Sequence, residues 1–158
     1  MQEHLLVDGN NAMHAIPELA RELKRDRNLA RDSLLRMLEP LASKGSSLVT
    51  VVFDGKDSPQ SIGKHREMDE FSVVFSSSVA GADGTIEKML MSAKHPERIV
   101  VVTNDGLIRN CAYSEGAAAM KVEELIKRLD YETDCSQAIG NRKTKEENLF
   151  ENKIPFPK

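Results

Sequence analysis

Ile99-Val100-Val101-Val102-Thr103-Asn104-Asp105 decides the fold. A short unbroken run of β-branched residues bounded by polar ones reads as a strand buried on both faces, and such strands belong to parallel sheets. The acid that follows then stands at the carboxyl end of the strand, where ligands bind in an open α/β sheet. Three more stretches join an apolar run or a helix start to an acid: His4-Leu5-Leu6-Val7-Asp8, Val51-Val52-Phe53-Asp54 and Gly81-Ala82-Asp83-Gly84-Thr85-Ile86-Glu87. Carboxylates gathered at one edge repel one another, and a hard divalent cation is the usual reason to tolerate that. The pattern points to a metal-dependent phosphoryl-transfer site.

Outward from these runs, strand and helix signals alternate. Strands are expected over residues 4–8, 48–53, 71–75 at a sheet edge, 99–103 and 117–120. Helices are expected over 12–24 with a break at Pro17, then over 29–43, 82–94, 105–111 and 121–131. Residues 55–69, with Pro59 and Gly63, read as a long loop with at most a short helix. The alternation predicts an α/β three-layer fold with a mainly parallel sheet. One domain is expected over residues 1–132, followed by a polar tail over 133–158 that is flexible or wraps the domain.

The 158 residues suffice for one domain with a real core. A net charge of -3 lacks the strongly basic balance of a DNA-coating protein, so any RNA contact must come from local patches. Cys111 and Cys135 are too few and too scattered for a disulfide framework or a zinc site. No stretch approaches the roughly 20 apolar residues of a membrane span, and no signal-peptide layout opens the chain, so a reducing cytoplasm is the expected setting. His4, His14, His65 and His95 form no metal-ligand spacing and read as packing or surface residues.

Asp8 stands where the first strand meets its turn. Gly9 would let the backbone approach a ligand, while Asn10 and Asn11 could orient water or phosphate. Asp8 is equally suited to cap the next helix. Asp83 and Glu87 are four apart and share a helix face, and Ile86 and Leu90 should turn that side toward the sheet. Asp105, after Thr103 and Asn104, is again either a cap or a site residue. Asp54, in an Asp-Gly turn signal, is expected only to support the site.

In order and rough spacing, Val7-Asp8-Gly9-Asn10-Asn11, Val52-Phe53-Asp54, Ala82-Asp83-Gly84-Thr85-Ile86-Glu87 and Val102-Thr103-Asn104-Asp105 resemble the motifs of YacP-like NYN domains, a branch of the PIN-like nucleases. The resemblance covers about residues 4–131. It implies a Rossmann-like PIN/NYN fold and a divalent-metal-dependent endoribonuclease that cleaves single-stranded RNA by metal-activated water. It further suggests messenger RNA as substrate, in association with ribosomes. The implied metal ligands are Asp8, Asp83 and Asp105, with Asn11 at the motif's asparagine and Asn10, Asp54, Glu87 and Asn104 in support. Mg²⁺ or Mn²⁺ would suit such oxygen donors. The chain departs from the motifs at Asn10, in place of tyrosine, and at Gly84-Thr85, in place of Ser-Tyr, which removes two aromatics that could stack on bases.

RNA contact is expected from Lys24, Arg25 and Arg27, with Arg31 and Arg36 further along the same helices, and from Lys64 and Arg66 in the long loop. Three other functions compete. A catalytically inactive RNA- or ribosome-binding module would keep the same fold. A phosphoacceptor receiver needs a lysine after a late strand, where this chain has Asn104-Asp105-Gly106. A dinucleotide-binding domain needs a G-x-G-x-x-G that does not follow the first strand.

Overall fold

The structure is a computed structural model that describes residues 2–43, 47–55 and 59–130. Its first strand, β1 (Glu3–Asp8), is followed by helices α1 (Gly9–Ala15), α2 (Pro17–Arg25) and α3 (Arg27–Ser43), then by β2 (Ser47–Phe53). A hairpin of β3 (Ser61–Lys64) and β4 (Phe71–Phe75) precedes α4 (Gly81–Ser92), β5 (Ile99–Val102), α5 (Gly106–Ser114) and β6 (Ala118–Met120). A last helix, α6, covers residues 122–130. Pro17 opens α2 at a position that needs no N–H donor, which is why the helical pattern breaks there without ending.

The six strands lie in the order β3-β4-β2-β1-β5-β6. Every neighbouring pair is parallel except β3 and β4. Alternation along the central strands sends side chains to opposite faces. Leu5, Val7, Val49, Val51 and Phe53 pack under α1, α2, α3 and α6, whereas Leu6, Val52, Val74 and Val101 pack under α4 and α5. Fully burying an aliphatic side chain of this kind contributes about 1.5–3 kcal/mol. The sheet is therefore held from both sides, as the alternation of the sequence requires.

Two expectations are corrected. The long loop at 55–69 contains β3 and a 3-10 turn at His65–Glu67, and β3 is the edge strand, so β4 lies inside the sheet. Ser61-Ile62-Gly63-Lys64 carries no apolar alternation because all four residues are exposed. The polar tail expected over 133–158 lies outside the described residues.

The chain runs from β1 to β2 and β4 on one side, then returns to place β5 on the other side of β1. Strand order thus reverses between β1 and β5. Such a switch opens a crevice at the carboxyl ends of the two strands. Asp8 ends one of them and Thr103 follows the other.

Candidate active site at the carboxyl edge

Asp8 is the deepest of the acids, only 4% exposed. Its Oδ2 accepts from the Thr103 hydroxyl at 3.2 Å across the switch point, and its Oδ1 accepts from the Asn11 N–H at 3.4 Å. Burial, reinforced by the charges of Asp83 and Asp54, pushes its pKa up to about 6, against the pull of those two hydrogen bonds. Asp8 also caps α1, so the cap role and the site position coexist in one side chain. The expectation for Gly9 is corrected. A Cβ there would lie 2.6 Å from the Phe53 ring, so this glycine lets α1 close onto β2 rather than admit a ligand.

Asp54 ties two segments together. Its Oδ2 accepts from Asn10 Nδ2 at 2.6 Å, and its Oδ1 accepts from the Ala82 N–H at 2.7 Å, at the start of α4. Gly81 enters that helix with φ +70°, a conformation a side chain would strain. A carboxylate at a helix N-terminus is also favourably placed against the helix dipole.

Asp83 and Glu87 do not face the sheet. Both are exposed, and α4 buries Ala82, Thr85, Ile86 and Leu90 instead. The expectation failed by one helical step, because Ile86 and Leu90 lie on the buried face beside the acid pair rather than beneath it. Asp83 nevertheless belongs to the acidic edge. Its pKa is raised first by partial burial and then by the charges of Asp105, Asp54 and Glu87. Asp105 caps α5 through its Oδ1, which accepts from the Leu107 N–H at 2.9 Å.

Neutral groups lock these turns in register. The Asn104 N–H donates to Asn11 Oδ1 at 2.8 Å, and Asn104 Oδ1 accepts from the Val122 N–H at 2.8 Å. The Thr103 hydroxyl donates to Asp8 while accepting from the Asp105 N–H at 3.1 Å. Thr103, fully buried, is the residue that reading the sequence overlooked. Its signal was a hydroxyl placed between a wholly apolar strand and an Asn-Asp turn.

The basic clusters separate. Lys24, Arg25 and Arg27 are exposed around the joint of α2 and α3. Lys64 pairs with Ser72 near the amino end of β4, at the opposite edge of the sheet, and bonds Asp69 at 2.6 Å. Arg66 pairs with Glu39 at 3.5 Å. Those two residues are thus drawn away from the acids.

Among the described residues, no three His, Cys, Asp or Glu side chains stand close enough together to chelate one ion. The chemistry of the donors still fits a hard cation. All are oxygen donors, Asp8 and Asp83 are both under electrostatic pressure from neighbouring acids, and no Lys or Arg among the described residues forms an ion pair with any of them. Mg²⁺ retains several waters when bound, so carboxylates set apart can share one through its water shell.

A doubly wound sheet with helices on both sides and acids at its switch point fits the PIN-like class of fold. The comparisons with known proteins narrow this. The model of the YacP-like NYN domain matches residues 5–155, and the chain belongs to that family. It is 29% identical over 128 residues to the uncharacterized protein YacP of Bacillus subtilis (strain 168), covering 80% of this chain and 74% of that one. A crystal structure of Rae1 (YacP) from Bacillus subtilis superposes with a TM-score of 0.68 at 25% identity, over 92% of this chain and 83% of that one. A single-substitution mutant of the same protein gives 0.72 at 24% identity, over 94% and 87%. Membership in this family points to nuclease chemistry and an RNA-related role.

Proposed function

We propose that this chain is a divalent-metal-dependent endoribonuclease that cleaves single-stranded RNA, with messenger RNA at the ribosome as the setting the family resemblance suggests. The observation that carries the reading is the field at the carboxyl edge. The charges of Asp83 and Asp54 add to burial in raising the Asp8 pKa, and those of Asp105, Asp54 and Glu87 do the same to Asp83. None of these acids forms an ion pair with a Lys or Arg among the described residues. Asp8, Asp83 and Asp105 would hold Mg²⁺ or Mn²⁺, directly or through water. When bound, such an ion polarises a phosphate and lowers the pKa of an attacking water.

The other residues hold this arrangement in place. Asn11 fixes Asp8 through its N–H and Asn104 through its Oδ1, leaving its own Nδ2 able to donate. Asn10 and Asp54 fix the first turn to α4, and Glu87 adds negative charge beside Asp83. The cytoplasm is the natural place for this substrate, and no helix among the described residues is long and apolar enough to cross a membrane.

A second reading, an inactive RNA-binding module on the same fold, is favoured by one observation: the absence of a chelating group of three. Incubation of the protein with an end-labelled single-stranded RNA in Mn²⁺, with and without EDTA, decides between them. Internal cleavage products that vanish in EDTA are expected. Binding without cleavage under both conditions would leave the inactive module standing.

A further inference from the structure

One face of α3 carries two arginines, Arg27 and Arg31, that form no ion pair among the described residues. Arg27 and Arg31 are one helical turn apart, close enough for Arg27 to act on Arg31 as a like charge. The Arg31 guanidinium is seated on two aromatic rings, with its Cζ 5.4 Å from the centroid of Phe53 and 5.2 Å from that of Phe75. This seat fixes the plane of the fork. Its polar contacts are long: 3.4 Å from Nη1 to Asn28 Oδ1 and 3.4 Å from Nη2 to the carbonyl of Asp54. Its Nε is buried without a partner.

A half-buried cation with a like charge beside it, and with Asp54 acting on it only at a distance and not as an ion pair, costs stability. The aromatic seat offsets part of that cost for Arg31 but gives no reason for Arg27 to stand close by. The location supplies a reason. Arg31 touches the main chain of Asp54, whose side chain joins the first turn to α4, so the arginine pair flanks the acidic edge. An acidic edge repels a polyanion unless positive charge nearby receives it.

We propose that Arg27 and Arg31 form a phosphate-binding site that holds the sugar-phosphate backbone of single-stranded RNA beside the carboxylates. The proposal rests on RNA being the substrate. A guanidinium fork matches two oxygens of a phosphodiester, and one already immobilised by rings loses little freedom on binding. Nη contacts of 3.4 Å are weak enough to exchange for phosphate oxygens. Phosphate contact fixes register without reading bases, which suits a chain with no Trp and two Tyr.

The test is binding of a fluorescent single-stranded RNA over a series of salt concentrations in EDTA, where cleavage does not interfere. Arg27→Ala and Arg31→Met should each reduce the slope of log affinity against log salt by about 0.7, and the double variant by about twice that. The reduction should be equal on oligo-A and oligo-U. Arg27 is exposed, so Arg27→Ala carries the test should Arg31→Met disturb packing against the rings. Slopes equal to wild type in Arg27→Ala and in the double variant would overturn the site while leaving RNA as substrate. Wild type that binds RNA but does not cut it in Mn²⁺ would overturn the endonuclease reading and leave the site to be judged by its slopes. Wild type that binds no RNA in either condition would overturn both.

Discussion

The two ends of β1 treat a carboxylate in opposite ways. At the amino end, Arg128 from α6 donates to both Glu3 oxygens, at 2.5 and 3.2 Å, and the Ser47 hydroxyl adds a bond at 3.0 Å. The Arg128 fork holds the Glu3 carboxyl below its ordinary value. Five positions along the same strand, Asp8 receives only neutral donors, and the charged groups acting on it are other acids. The fold can bring a guanidinium from 125 residues away to silence one acid, yet it leaves the deeper one exposed to repulsion. The contrast is the one the proposed function requires, in which Asp8 keeps its charge for an external cation.

The largest effect tests that contrast through activity. Asp8→Asn keeps volume and removes the charge, so cleavage of labelled RNA in Mn²⁺ should fall by about 100-fold or more, since even groups that only orient a metal's ligands cost about 10–100-fold. Asp54→Asn should lose less, about 10-fold, because it acts through Asn10 and α4. An Asp8→Asn enzyme with full activity, matched to wild type by circular dichroism, would break the comparison outright.

Stability against pH should separate the two ends next. In EDTA the folded protein holds the Asp8 proton more tightly than the unfolded chain, with a pKa of about 6 against an ordinary 3.8. Stability linked to that proton is present below pH 3.8 and is lost as pH rises through about 6. The loss is roughly 3 kcal/mol when complete. Asp8→Asn should remove this decline and melt higher than wild type above pH 6, as chemical denaturation at several pH values would read. Glu3 has the opposite sign: its contribution is present above its unfolded pKa and fades as pH falls through its lowered folded value.

Added Mn²⁺ sharpens the picture further. At about 100 times its dissociation constant it should stabilise wild type by roughly 2.7 kcal/mol. Asp83→Asn and Asp105→Asn should gain less, while each melts at or above wild type in EDTA. A wild-type melting temperature indifferent to Mn²⁺ would leave Asp8 and Asp105 as helix caps. The smallest effect belongs to the silent end. Glu3→Gln should cost about 1 kcal/mol or less at neutral pH and leave cleavage unchanged, because a partly exposed pair contributes little.

What the sequence made legible follows the same division. Strands β1, β2 and β5 were readable because burial on both faces demands continuous branched aliphatics, as in Ile99-Val100-Val101-Val102. β3 was not, since a four-residue exposed edge strand needs no such pattern. That error alone moved β4 to the edge. The acids were readable as residues at strand ends and helix starts, but the turn of α4 was not, because Asp83 and Ile86 are near neighbours on a helix surface and periodicity resolves a face only to within a residue. Pairings across the fold, Glu3 with Arg128 and Thr103 with Asp8, leave no local trace.

The Asp8–Thr103 bond also has a consequence in time. Its partners are 95 residues apart, and the strand that delivers Thr103 begins at Ile99. A chain made from its amino terminus at about 5–20 residues per second carries Asp8 out early and Thr103 several seconds later. Until β5 docks beside β1, Asp8 lacks both the Thr103 hydroxyl and the wall that β5 supplies. The acidic edge is therefore completed only once β5 has emerged, and a newly made molecule passes through a period in which β1, β2 and β4 can pair while Asp8 has no partner across the switch point.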